Sequence, residues 1–157
     1  MGEGVHKVTI LGVLPGKSEN TGSEYFEFGI QNEDGVIGEV RVYWTEKAQQ
    51  YSFNTVRDIF VHNAKPENKE KVRAMVDAVK DTDELLKLCQ DNLEGKEAWY
   101  KVEKSGTQYT NQAGELKDSY NRNLYGYEPQ MKNKSDEQIL DDIKNGTPVD
   151  VSEIPFE

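Results

Sequence analysis

Between Lys96 and Tyr127 the chain gathers rings and cations. Trp99, Tyr100, Tyr109, Tyr120, Tyr125 and Tyr127 are interleaved with Lys96, Lys101, Lys104, Lys117 and Arg122. Flat rings beside cations suit stacking on exposed bases while the cations follow a phosphate backbone. The same pattern suits an ordinary β-hairpin whose tyrosines bury their bodies and keep their hydroxyls wet. The stretch alone does not separate the two. A second ring-plus-cation pair stands upstream at Arg41 and Tyr43, with Tyr25 before it.

Catalytic chemistry finds little support. The two histidines, His6 and His62, have no nucleophile or metal-ligand cluster beside them in sequence. The carboxylate pairs Glu33-Asp34 and Asp141-Asp142 fall in a turn and in a polar tail, where solvation is the simplest role. The glycine and lysine of Gly114-Glu-Leu-Lys117 lack phosphate-loop spacing. The expectation is a protein that is not an enzyme and needs no cofactor or metal.

The elements that must position the rings are legible as patterns. His6–Val13 alternates and is β-branched, and Leu14–Gly22 reads as a turn-rich loop. Glu24–Gln31 is a second strand with Phe26, Phe28 and Ile30 on one face and Tyr25 and Glu27 on the other. Asn32–Gly35 carries an Asp-Gly hairpin signal. In the third strand, Gly38–Trp44, Val40 and Val42 face inward while Arg41 and Tyr43 face outward.

Residues 45–94 then turn helical. Thr45 caps a helix from Glu46, Pro66 opens one running to Val79, and Asp81–Glu84 forms a capping box for Thr82–Gln90. Two more strands follow, Glu97–Glu103 and Arg122–Tyr127, joined by a long loop, Ser105–Asn121. By alternation Trp99 and Lys101 point outward, with Tyr25 as their counterpart on strand two, and Tyr100 and Val102 point inward.

Composition bounds the rest. The 157 residues suggest one domain, 1–130, and a tail, 131–157. Mean hydropathy is −0.83, so the core is modest. Cys89 is the single cysteine, sits among leucines and reads as core. No apolar run approaches a membrane span and MGEGVHK has no signal-like region, so a cytoplasmic protein is expected. The net charge of −10 counts against nucleic acid, since phosphate neutralisation supplies most non-specific affinity. The segment from Lys132 holds 3 basic and 7 acidic residues and the remainder 16 and 22, so the body itself is at −6.

Three strands, a helical segment and two strands resemble the OB-fold, a five-stranded Greek-key barrel with a helix between its third and fourth strands. That resemblance implies a mainly β barrel with a helical insert, whose strand 2–3 face and loops 1–2 and 4–5 hold oligonucleotides or oligosaccharides. The last residues add a second likeness. Asp150 and Glu153 precede Ile154, Pro155 and Phe156, similar to the acidic tip of bacterial and phage single-stranded DNA-binding proteins. Here Glu157 follows the phenylalanine, and valine and serine thin the acidic run.

The resemblance implies binding of single-stranded DNA without sequence specificity, in phage or host replication, recombination or repair. The tip residues Asp150, Glu153, Ile154, Pro155 and Phe156 would recruit partner proteins on a flexible acidic tail. A phage-encoded protein would act in the host-cell cytoplasm, and a homo-oligomer stays open. The nucleic-acid-binding residues expected are Tyr25, Arg41, Tyr43, Trp99, Lys101, Lys104, Tyr109, Tyr120 and Arg122. Two other readings stand beside this one. An OB-like protein-interaction adaptor suits the negative charge, and an oligosaccharide binder would use the rings without the cations.

Overall fold

Three strands open the chain, β1 (Gly4–Lys17), β2 (Glu24–Asn32) and β3 (Ile37–Tyr43), in a computed structural model that describes residues 1–131. The expected helix at 135–144 and the tip residues Asp150, Glu153, Ile154, Pro155 and Phe156 lie outside the described residues. Helices α1 (Gln49–Asn63), α2 (Lys69–Asp77) and α3 (Thr82–Asn92) follow, and strands β4 (Glu97–Thr110) and β5 (Leu116–Tyr125) complete the set.

Every ladder is antiparallel, and the sheet runs β3-β2-β1-β4-β5. The edge strands β3 and β5 touch, with no hydrogen-bonded ladder between them among the described residues. The architecture is therefore mainly β and OB-like with a helical insert, in an open sheet. No helix among the described residues is long and apolar enough to cross a membrane.

Period-2 alternation decides which side chains enter the core. Phe26, Phe28 and Ile30 of β2 are buried, as are Val40 and Val42 of β3 and Ala98, Tyr100 and Val102 of β4. In β1 the ladder slips between Ile10 and Gly12. This bulge at Leu11 moves the inward set from Val8 and Ile10 to Val13 and leaves Leu11 outside. The helices close the core with Val56, Ile59 and Phe60 of α1, Val76 of α2, and Leu85 and Cys89 of α3.

Several boundaries differ from the sequence patterns. The expected loop from Leu14 begins as strand, because Pro15, Gly16 and Lys17 stay in register with Phe26, Tyr25 and Glu24. Only the residues after Lys17 turn, with Ser18 N–H donating to Ser23 O. The expected long loop Ser105–Asn121 is mostly hairpin. β4 continues to Thr110 and β5 begins at Leu116 rather than Arg122. The tip is tied by Asn111, whose Oδ1 accepts from Ala113 N and Glu115 N. These extensions carry no apolar alternation because, apart from Tyr120, which packs partly against the core, their side chains stay at the surface, so pattern reading missed them.

The first helix starts at Gln49 rather than Glu46, although Thr45 Oγ1 does accept from Ala48 N at 3.2 Å. The Pro66 segment is a short 3-10 turn, Pro66–Asn68, leading into α2. Asp81 caps α3 by accepting from Glu84 N at 2.9 Å.

Candidate nucleic-acid interface

The outer faces of β1, β2 and β3 form a grid of three rows set by register. Gly16, Tyr25 and Tyr43 make the first, Leu14, Glu27 and Arg41 the second, and Gly12, Gly29 and Glu39 the third. Tyr25 leans over β1, and its ring tip occupies the space that a Cβ on Gly16 would need. The Tyr25 and Tyr43 ring centroids are 5.5 Å apart with planes at 58°. Arg41 Cζ lies 4.3 Å from the Tyr25 centroid, and its Nε is 3.4 Å from Glu27 Oε1. Hydrogen bonding to Tyr43 foremost, and then to Glu27, raises the Arg41 guanidinium above its ordinary range.

This cluster joins three of the residues singled out by sequence, Tyr25, Arg41 and Tyr43. Arg41 and Tyr43 stay exposed. Chemically it is a ring platform with one guanidinium, a planar cation that itself stacks on bases. Its neighbours Glu27 and Glu39 make it an electrostatically mixed surface.

Trp99 and Lys101 belong elsewhere. Trp99 pairs with Lys7 on β1 and Lys101 with Val5, whereas Tyr25 pairs with Gly16. Gly16 and Lys7 are nine positions apart on β1, a contour of about 30 Å at the usual strand rise. Trp99 is thus not the counterpart of Tyr25. Its ring packs edge-on against His62 of α1 at 4.5 Å and lines a recess of about 410 Å³ together with His6, Lys7, Glu33, Asp34 and Glu128. His62 in turn approaches Glu97 at 3.4 Å, and this contact foremost holds the Glu97 carboxyl below its ordinary value.

Lys101 is a correction. It lies opposite Tyr100 and Val102, as alternation requires, yet it is only 4% exposed. Its Nζ is 3.2 Å from Glu103 Oε2, donates to Gln130 O at 3.2 Å, and sits 5.2 Å from the Tyr125 centroid. The chain after β5 returns across this face, where Gly126 and Pro129 are buried. Gly126 packs so closely on the α1 backbone at Asp58 and Ile59 that a Cβ there would overlap it. Lys101 is an internal strut that holds this return, its side chain only 6% exposed.

The third group lies along the β4–β5 hairpin. Lys104 pairs in register with Tyr120, and Val102 with Arg122. Lys104 Nζ is 3.7 Å from Asp118. Arg122 is exposed and stands 5.9 Å over the Tyr120 ring. Tyr120 is partly buried against the core, whereas Tyr109 is 54% exposed nearer the tip. Two extra residues in β4 between Lys104 and Gln108 break the ladder, with Gly106 at φ +84° in the irregularity. Of these four residues, Tyr109 and Arg122 are open to a ligand with least rearrangement.

The site residues that sequence reasoning missed are Gly16, Gly12, Gly29, Leu14, Glu27 and Glu39. The signal for Gly16 was present, since a ring on the adjacent strand that leans over β1 needs a bare neighbour, but it required β1 to be read through Pro15. No protein-family model matches this chain, and none of the curated proteins is significantly similar to it.

Proposed function

We propose that this chain binds single-stranded DNA without a sequence motif, using the outer face of β2 and β3, and that it serves replication, recombination or repair. The observation that carries the reading is the Tyr25–Tyr43–Arg41 cluster on the strand pair that OB-like sheets use for oligonucleotides. Each base stacked on a ring contributes about 1–3 kcal/mol, so two tyrosines and the hairpin's Tyr109 give useful affinity. Cations are few. Arg41, Lys104 and Arg122 would neutralise three phosphates between them, which sets a logarithmic salt slope of about −2 for a single strand. Binding is therefore dominated by stacking, in keeping with the acidic body. Partner recruitment by Asp150, Glu153, Ile154, Pro155 and Phe156 belongs to the same proposal and rests on the resemblance of the tip.

A second reading, an OB-like adaptor for proteins, is favoured by the recess beside Trp99, where three carboxylates, Glu33, Asp34 and Glu128, outnumber the one lysine, Lys7, and suit a basic side chain. Fluorescence anisotropy of a labelled mixed-sequence oligonucleotide separates the two. The DNA reading expects saturable binding at low salt, weakened roughly 5-fold or more by Tyr43→Ala. Absence of binding at low salt, or a Tyr43→Ala variant that binds like the parent, overturns it.

A further inference from the structure

The ring platform does not end at Arg41. One row further along the same outer face, Gly12 and Gly29 pair across β1 and β2. Nothing lies within contact range above Gly12, and above Gly29 only the Leu11 side chain does. The result is a bare backbone floor walled by Leu11 and Leu14, both exposed at 40% and 62%. The α3 side closes it into a groove of about 500 Å³. Glu27 belongs both to this groove and to the platform, through its ion pair with Arg41. A strand stacked on Tyr25 and Tyr43 therefore has a continuous path into it.

The polar chemistry of the groove is one-sided. Its lining includes three carboxylates, Glu27, Glu39 and Glu94, and no lysine or arginine. The Glu39 and Glu94 side chains make no hydrogen bond or ion pair among the described residues. Such a rim repels phosphate, and its charged groups are acceptors only; the Gln90 amide, the other polar side chain of the lining, donates to Val13 O at 3.1 Å. The groups on a nucleic acid that answer it are exocyclic amines, the N4 of cytosine or N6 of adenine, which a carboxylate accepts from directly. Thymine presents carbonyls on both sides of its single ring N–H, and these oppose the carboxylates.

We infer that this groove takes a nucleobase against the Gly12–Gly29 floor and favours amino-bearing bases over thymine, which gives the protein a composition bias rather than a sequence motif. The inference rests on the nucleic-acid reading above, and one experiment tells their failures apart. A labelled oligonucleotide is displaced by unlabelled oligo-dC or oligo-dT of equal length, for the parent and for a Glu39→Gln/Glu94→Gln variant. One carboxylate–amine contact predicts roughly fivefold or more tighter binding of oligo-dC by the parent, and a ratio falling toward one in the variant. Equal affinities in the parent, a preference for oligo-dT, or a ratio the variant leaves unchanged overturns the inference while the nucleic-acid reading stands. If neither homopolymer nor the labelled strand binds, the reading itself falls and the inference with it.

Discussion

Replacing Lys101 by methionine tests whether that residue is a strut or a ligand. Lys101 and Glu103 side chains are 6% and 7% exposed and 3.2 Å apart. Removing the amine leaves the Glu103 carboxylate buried beside an apolar stem, and it frees the Gln130 carbonyl that Lys101 holds. Breaking a buried pair in this way costs about 3–5 kcal/mol. With a denaturant dependence of about 1.5 kcal/mol per molar urea, that lowers the unfolding midpoint by on the order of 2–3 M. The double variant Lys101→Met/Glu103→Leu removes both charges, and most of the loss should return, because apolar replacement of a whole buried pair is close to neutral. Urea unfolding followed by circular dichroism reads both. In native buffer the single variant should bind the labelled oligonucleotide with nearly the parent salt slope. A variant that unfolds at the parent midpoint yet binds with a shallower slope would refute the reasoning and restore Lys101 as a phosphate contact.

Three further outcomes follow from the packing and titration of particular groups. Gly16→Ala should push the Tyr25 ring off β1 and weaken oligonucleotide binding roughly 5-fold or more, the worth of one stacked base, and anisotropy titration with parallel unfolding separates this from instability. Gly126→Ala meets backbone rather than a movable side chain, so it should destabilise by about 1–3 kcal/mol, read as a lowered urea midpoint, while Gly114→Ala at the hairpin tip, with open space around it, tests strain at positive φ alone. Burial pushes the Cys89 thiol up to about 12 from an ordinary value near 9.0. The folded state therefore holds a proton that the unfolded state has lost, and this contribution is complete below pH 9 and disappears as pH rises toward 12. Stability should fall by up to about 1.4 kcal/mol per pH unit in that window, and Cys89→Ala should remove that component from midpoints measured on either side of pH 10.

Strand order, the helical insert and most of the core were legible because they rest on local regularities. Phe26, Phe28 and Ile30 alternate with polar residues, and burial of one face follows from that spacing alone. Asp81 with Glu84 announced the start of α3 for the same local reason. What escaped was structure whose hydrogen bonds run along solvent. The arm of β4 and β5 beyond Glu103 is held by its main-chain ladder, and a ladder leaves no hydrophobic signature. The bulge at Leu11 was equally invisible, though it decides that Leu11 faces outward into the groove.

The nine expected ligand contacts divide on the same principle. Tyr25, Arg41 and Tyr43 come together because β2 and β3 are paired neighbours, and that neighbourhood is readable from a hairpin signal at Asn32–Gly35. Alternation put Trp99 and Lys101 on the side of β4 opposite Tyr100 and Val102, but that side is covered at Lys101, which is 4% exposed. Sequence by itself determined the sidedness of β2 and β3 and supplied rings and cations in the same segments, since both are properties of residue type and spacing. Tertiary structure decided which rings meet. Register along β1 puts Trp99 far from Tyr25, and the returning chain at Gly126–Gln130 covers Lys101. Those outcomes depend on pairings between residues distant in the chain, and no local pattern encodes how far along a strand a partner will sit or what will later fold over it.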